Sequence, residues 1–351
     1  MDLNDLLFRL GEWLKGEGPN SDIVISSRIR LARNLNKIPF THWADKKEKE
    51  KVLELLGNVL KENEFLKDGI FILMKELDEI DRLFLLERHL VSHEFIQNPN
   101  SKAVIISANE AVSGMVNEED HLRLQVMQSG FNLWEAFEVA QKIDQFLSER
   151  IDFAFSSEWG YLTACPTNVG TGLRASVMLH LPMLVFTKQI NKVLQAITRL
   201  GLTARGFYGE GTEATGNFFQ ISNQVTLGQR EEDIIDNLEK IIKQVIEYEQ
   251  NARQMVLMQE KEKIVDRIWR AYGILKNAYI ISSNETIELL SHVRLGVDLG
   301  IIKDINRRQL NELFIFIQPA HLQKMEKKKL TPQQRDVKRA QLIRNKLGIQ
   351  T

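Results

Sequence analysis

Val52, Leu55, Leu56, Val59 and Leu60 fall on one side of a 3.6-residue period, which predicts an amphipathic helix over residues 46–63. Similar spacing predicts helices over 3–15 (Leu3, Leu6, Leu7, Leu10, Trp13, Leu14), 78–90, 131–155 and 187–200. Other segments carry strand patterns. Ile23, Val24 and Ile25 lead into the polar run SSRIR, and residues 103–107 form a β-branched stretch. Residues 115–117 and 122–127 alternate apolar with polar, and 218–222 reads as a further strand. The glycine- and threonine-rich segments around Cys165 and Gly170 read as loops. Strands joined by short turns, with helices in separate blocks, imply an α+β domain whose sheet is mainly antiparallel and flanked by helices.

From Glu231 onward the strand signal is gone. Helical periodicity with many i,i+4 charge pairs runs to about residue 275, and three more helices are expected at 284–299, 305–317 and 332–347. The last has a strong start signal: Thr331 as N-cap, Pro332 at the first helical position and Gln334 completing a capping box. A boundary near residue 255 is expected. It divides a catalytic unit (1–255, core about 22–250) from an all-helical C-terminal unit (256–351), and 351 residues suffice for two cores.

Charge narrows the partners. Forty-six basic residues against 47 acidic ones give a formal charge of −1, so bulk attraction to nucleic acid or an anionic membrane is not expected. The single cysteine precludes an internal disulfide and a Cys-based zinc site. The first residues lack a sustained apolar run, and no stretch has the length of a membrane span, so a cytoplasmic protein is expected.

Five arginines stand out because they lie in glycine-, serine- and carboxylate-containing segments: Arg28, Arg30, Arg123, Arg174 and Arg205. Strand alternation puts Arg28 and Arg30 on one face, where they repel unless an anion lies between them; in isolation they read as a solvent-facing edge. NEEDHLR sets Glu118, Glu119 and Asp120 just ahead of Arg123, the mixture a site for phosphate and guanidinium needs, or a solvated turn. In CPTNVGTGLRAS, Gly170 and Gly172 permit close backbone approach and an anion-binding nest, and Cys165 alone reads as a buried small hydrophobe. RGFYGEGTEATG suits either a surface hairpin or a lid carrying Glu210 inward. His89 and His121 default to structural roles. No paired-carboxylate or HExxH metal motif is present.

Together, VISSRIRLARNLNKIPF, NEEDHLRLQVMQ, CPTNVGTGLRAS and RGFYGEGTEATGNFFQISN resemble, in order, segments of the phosphagen (guanidino) kinases over residues 22–250. The resemblance implies an ATP clamp of Arg28, Arg30, Arg123, Arg174 and Arg205. It places the nucleotide along Ser26, Ser27, Arg28, Ile29 and Arg30, along Arg174, Ala175, Ser176, Val177 and Met178, and along Arg205, Gly206, Phe207, Tyr208, Gly209 and Glu210, with His89 beside the adenine. It further implies that Glu119 and Glu210 grip the acceptor guanidinium, that Cys165 lies near it as an electrostatic or positioning group, and that Mg2+ is held largely by nucleotide and water. The chemistry agrees: a guanidinium must lose a proton to become a nucleophile, and phosphoryl transfer needs mainly positioning and charge neutralisation.

Familiar members of that family carry a sizeable helical domain ahead of the SSRIR-like segment, which here begins at residue 26. A helical extension of domain size follows the catalytic unit instead. This arrangement resembles the bacterial protein arginine kinases of the McsB type, and it suits an arginine side chain on a protein. RDVKRA (Arg335, Asp336, Arg339, Ala340) resembles their phosphoarginine-binding motif; its bland alternative is a solvated face with Asp336 pairing Arg339. The expected activity is ATP-dependent phosphorylation of protein arginines, with a small-molecule arginine kinase or a non-catalytic nucleotide- and phosphoprotein-binding regulator as rivals. By resemblance, the partners are a stress-response repressor or unfolded proteins as substrates, a zinc-finger activator, a Clp-type unfoldase, and a second copy in a homodimer, with the apolar stretch around Leu310, Leu313, Phe314, Phe316 and Ile317 as core or dimer seam.

Overall fold

The computed structural model describes residues 2–206 and 215–348. The chain enters through two short 3-10 turns, Leu3–Leu6 and Glu12–Leu14. Then come β1 (Val24–Arg33), α1 (Lys46–Glu62), β2 (Ile70–Leu73), α2 (Glu79–Glu87) and α3 (His93–Gln97). A meander of β3 (Ala103–Ile106), β4 (Val112–Val116) and β5 (Leu122–Ser129) leads into α4 (Leu133–Ser148). A small hairpin, β6 (Phe155–Ser156) and β7 (Gly160–Tyr161), precedes β8 (Leu173–His180), α5 (Pro182–Phe186), α6 (Ile190–Arg199), β9 (Leu202–Gly206) and β10 (Phe218–Asn223). The remainder is helical: α7 (Glu231–Gln259), α8 (Lys261–Asn277), α9 (Ser283–Asp298), α10 (Arg307–Phe316), α11 (Pro319–Met325) and α12 (Pro332–Lys346).

Eight strands form one antiparallel sheet in the order β2-β3-β4-β5-β1-β8-β10-β9. The α+β reading with an antiparallel sheet is thus what the chain adopts. One face is apolar: Ile29 and Leu31 of β1, Leu124 and Val126 of β5, and Ala175 and Val177 of β8 are all buried. α4 packs against β1 and β5 on this face through Ala136, Phe137, Ala140 and Ile143, and α7 packs against β8 and β10. Period-2 and period-3.6 apolar stripes therefore meet, as burial demands.

Three expectations change. Residues 3–15 do not make one amphipathic helix, because the chain breaks around Gly11 and turns Trp13 into the sheet; Trp13 and Leu14 are buried there. The helix expected over 131–155 stops at Ser148. Beyond it the chain is drawn onto the end of β1, where Asn36 N donates to Asp152 O and Ala154 N donates to Asn34 O. The segment taken as loop contains β8, a central strand whose alternation (LRASVMLH) is masked by the glycines just before it. One contiguous apolar cluster runs from the sheet through α7 into α8, α9 and α10, and a second gathers the first turn, α2 and α3 on the other face of β2, β3 and β4. Phe218 of β10 meets Phe314 of α10 edge-on at 5.0 Å, and buried Arg294 of α9 donates to Ser21 O at 2.7 Å.

α12 begins as its sequence indicates, with Thr331 Oγ1 accepting from Gln334 N and Gln334 Oε1 accepting from Thr331 N. Its arginines differ sharply. The Arg339 side chain is 1% exposed, and its guanidinium donates to Ile317 O, Ile281 O and Asp336 Oδ1. Arg335 is half-buried and donates to Leu330 O at 3.0 Å. Arg339→Ala is therefore expected to cost roughly 2–4 kcal/mol in urea unfolding, since it strands buried acceptors, whereas Arg335→Ala costs under about 1 kcal/mol.

Glu87, at the end of α2, joins the two units by accepting the N–H groups of Ala320 and His321 at the start of α11. Burial pushes its carboxyl up to about 7 against those bonds and the fields of Arg339 and Arg335. A raised carboxyl pKa contributes stability that is present at low pH and lost as pH rises through about 7. The melting temperature of Glu87→Gln relative to the parent protein is accordingly expected to rise by roughly 2–5 °C between pH 5 and pH 8. A constant difference across that range would refute the assignment.

Candidate active site

The face of the sheet opposite α4 is cationic, and strand register explains why. Arg28 lies opposite Ser176 and Met127, Arg30 opposite Arg174 and Gln125, and Ala32 opposite Arg123. Gln220 links Met178 to Arg205 across the next two strands. Because directly paired residues share a face, Arg28, Arg30, Arg123, Arg174 and Arg205 all project from one side of four strands, β5, β1, β8 and β9. Only the Arg28–Arg30 part of this is visible as alternation in sequence.

The electrostatic consequence is severe. Burial, reinforced by Arg123, Arg174 and Arg205, lowers the Arg28 guanidinium to about 10. Arg30 is pushed well below the usual range by burial and by Arg28, Arg123 and Arg174, with only Glu118 opposing. Arg30 Nε is buried without a hydrogen-bond partner among the described residues. Arg28 finds neutral partners, Ser176 Oγ at 3.3 Å and Gln125 Oε1 at 3.5 Å. Arg123 is neutralised in place: both Nη1 contacts go to Glu118, at 2.7 and 2.8 Å, and this pairing outweighs burial to raise its pKa. Buried like charges of this density are a site waiting for a polyanion.

Beside the arginines lies a cleft of about 320 Å³ lined by Trp13, His89, Met127, Met178 and the polar side chains of Ser26, Arg28, Ser176 and Gln220. Trp13 and His89 meet edge to face at 5.3 Å. His89 sits in the left-handed region, φ 58°, and its carbonyl accepts from Gln125 Nε2 at 2.8 Å. Burial and Arg28 hold its imidazole down at about 4, so it is neutral near pH 7. An indole, a neutral imidazole and two thioethers around one slot suit a flat heteroaromatic group.

At the other end, the turn between β4 and β5 carries the carboxylates. Glu119 is exposed, and its carboxyl is raised by partial burial and by its neighbours Asp120 and Glu118. Buried Asp120 accepts from Ala164 N at 2.7 Å and from Asn34 Nδ2 at 2.6 Å. It thereby ties the Glu119 turn to the residue preceding Cys165. His121 completes the clasp, its Nδ1 accepting from Leu35 N and its Nε2 lying 2.9 Å from Pro39 O. Cys165 Sγ lies 3.0 Å from Thr167 Oγ1. A carboxylate with raised basicity and a thiol are thus held on adjoining turns at the edge of the arginine face.

Residues 51–252, more than half of the chain, match the family model described as ATP:guanido phosphotransferase, C-terminal catalytic domain. Residues 261–351 match the protein-arginine kinase McsB C-terminal domain. A protein-arginine kinase of Halothermothrix orenii is 51% identical over 350 residues, covering 99% of this chain and 100% of that relative. The protein-arginine kinase of Bacillus subtilis is 47% identical, covering 97% and 94% respectively. The chain belongs to the protein-arginine kinases. Its fold is that of the guanidino kinases at large. Lombricine kinase superposes with a TM-score of 0.60 at 24% identity, covering 72% of this chain and 71% of that one. The duplicated taurocyamine kinase of Schistosoma mansoni gives 0.60 at 23% identity, covering 80% and 41%.

Within this protein-arginine kinase, the residues expected along the nucleotide divide by strand parity. Ser26, Arg28, Arg30, Arg174, Ser176, Met178 and Arg205 share the cationic face. Ser27, Ile29, Ala175, Val177 and Gly206 point the other way and are buried; Ser27 Oγ serves the start of α4, accepting from Asn132 N and donating to Gly130 O. Their side chains are therefore not nucleotide ligands. Phe207, Tyr208, Gly209 and Glu210 lie outside the described residues. A Cβ at Gly170 or Gly172 would sit 2.5 Å from Thr226 O or 2.6 Å from Ala32 O, so these glycines let backbone approach backbone, and Gly170 N and Thr171 N donate to Tyr161 O and Thr226 O. Sequence reading missed Trp13, Gln125 and Asn34 as parts of the site, and took Glu118 and Asp120 only as members of one acidic run without separate roles. Trp13 was absorbed into a helix stripe, and Asp120 differs from Glu119 only by its burial.

Proposed function

We propose that this chain transfers the γ-phosphoryl group of ATP directly to arginine side chains of other proteins. The observation that carries this reading is five arginines on one sheet face, adjoining a slot for a base at one end and a basic carboxylate at the other. The triphosphate lies across Arg28, Arg30, Arg123, Arg174 and Arg205, and the adenine enters the slot of Trp13 and His89. Among the described residues no group of three or more His, Cys, Asp or Glu side chains could hold a metal. Mg2+ therefore arrives on the nucleotide, neutralising phosphate charge there.

The acceptor guanidinium lies against Glu119, with Glu210 as the second carboxylate and Cys165 beside it as a positioning group. Glu119 takes a proton from the attacking nitrogen, the N–P bond forms, and the bond from the γ-phosphorus to the bridging oxygen breaks, leaving ADP. Arg335, Asp336, Arg339 and Ala340 form a product-sensing site for phosphoarginine. In that site the half-buried Arg335 is the reader and Arg339 the buried strut, so the chain is allosteric. The chain works in the cytoplasm as a homodimer and marks stress-response regulators or unfolded proteins, with a zinc-finger activator and a Clp-type unfoldase as partners.

Labelled ATP and Mg2+ offered with an arginine-rich unfolded protein or with free arginine test the acceptor. Acid-labile label on protein supports the reading. Transfer only to free arginine would overturn it.

A further inference from the structure

A second depression lies on the far side of the Cys165 loop. It is an open groove between the β6–β7 hairpin and the start of α7. Its apolar lining is unusual for a surface: Phe155 is 61% exposed, Trp159 48% and Leu227 43%. Glu158, Glu231 and Glu232 line it too, against one guanidinium, Arg230. Arg230 is itself drawn to Glu232 at 3.8 Å and Asp233 at 3.9 Å. Acidic first-turn residues favour the N-terminus of α7, which accounts for Glu231 and Glu232 but not for Glu158 on the hairpin.

The groove is built into the acceptor end of the site. Tyr161 and Gly170, both in its wall, exchange backbone hydrogen bonds at 2.8 and 3.3 Å, and the loop between them carries Cys165. Thr226 Oγ1 donates to Val169 O and Thr167 O, fastening that loop to the strand end from which Leu227 projects. The wall is stiff. Arg33 stacks on the Tyr161 ring at 3.5 Å and is anchored bidentately by Asp144.

We propose that this groove docks the stretch of a protein substrate beside its target arginine, as an extended segment carrying an apolar residue and a further lysine or arginine. The inference rests on the protein-kinase reading above. Charge decides the occupant: Glu158, Glu231 and Glu232 outnumber the two guanidiniums that engage them, Arg33 with Glu231 at 3.7 Å and Arg230 with Glu232 at 3.8 Å, which repels a second nucleotide and favours a basic segment. The exposed aromatic and leucine side chains supply the apolar anchor that such a segment needs for affinity. Free arginine has nothing to place there, so the groove discriminates chain from free amino acid.

The full-length protein, Trp159→Ser and Glu158→Lys would be tested with two arginine peptides, one flanked by Leu, Phe and Lys and one by Gly and Ser. A third peptide, with citrulline in place of the target arginine in the Leu/Phe/Lys context, reports binding by fluorescence anisotropy without any transfer. Trp159→Ser is expected to raise KM for the apolar-flanked peptide and Kd for the citrulline peptide about tenfold, with kcat and the KM for ATP unchanged. Glu158→Lys should weaken both further only when lysine is present. If no peptide is phosphorylated, the kinase reading fails, while the citrulline peptide still decides the groove. Unchanged affinity for that peptide overturns the proposal, as does a variant that alters only the sedimentation behaviour, which would assign the groove to a second copy of this chain.

Discussion

Arg30→Met is expected to stabilise the ligand-free protein and to remove nucleotide binding in the same step. Arg30 is half-buried among Arg28, Arg123 and Arg174, with its Nε buried and lacking a partner among the described residues. Replacing a buried charge of that kind by an apolar side chain of similar length removes both desolvation and repulsion, an effect of about 1–4 kcal/mol. The melting temperature of the free protein should rise by a few degrees. A triphosphate reverses the sign, because the same guanidinium then makes charge-assisted bonds worth about 1.5–3 kcal/mol each. Two such bonds predict a loss of roughly 10²–10⁴ in ATP affinity, measured by calorimetry. Arg30→Lys keeps the charge but loses the planar fork, and should fall between the two. A variant that melts below the parent protein and still binds ATP would show that Arg30 is a structural strut.

Glu119→Gln is the second substitution with a large expected effect, and it separates chemistry from binding. The side chain is exposed and no hydrogen bond among the described residues depends on its carboxylate, so stability should change by less than about 0.5 kcal/mol. Glu119 does not line the slot of Trp13 and His89, so ATP affinity should be unchanged. The loss should fall on kcat, by roughly 10²–10⁴, the usual size of a general-base contribution. The pH profile gives an independent readout. Glu119 is raised by partial burial and by Asp120 and Glu118, so the acid limb of the rate should lie above the ordinary carboxylate range. The rate is lost as pH falls through that value, and the limb should vanish in the glutamine variant. A parallel tenfold rise in the Kd for ATP would sink this assignment.

Much of the chemistry was legible residue by residue. Arg28 and Arg30 announced a shared face through strand alternation, and the NEEDH carboxylates announced an acceptor end. The capping box at Thr331 fixed the start of the last helix. What failed was the weighing of local signals against distant partners. The glycines before Leu173 read as loop because their conformational freedom is a local property, yet the strand after them is central in the sheet. Trp13 fits a helical stripe by spacing, but the break around Gly11 sends it to His89. Arg339 looks like a solvated neighbour of Asp336, and it does pair with Asp336, while two buried carbonyls from other elements claim the rest of its guanidinium.

The sequence alone determined the residue types and their periodicities: which strands alternate, where the helices begin, and that five arginines and several carboxylates sit in segments resembling guanidino kinases. Those depend on interactions between near neighbours in the chain. Tertiary structure decided that Arg123, Arg174 and Arg205 join Arg28 and Arg30 on one face, since strand register pairs Ala32 with Arg123 and Arg30 with Arg174 from distant parts of the chain and brings in Arg205 through Gln220. It also divided Glu118, Glu119 and Asp120 into a counter-ion, a candidate base and a buried tie. Their chemistry is the same in the chain, and only burial and partners tell them apart.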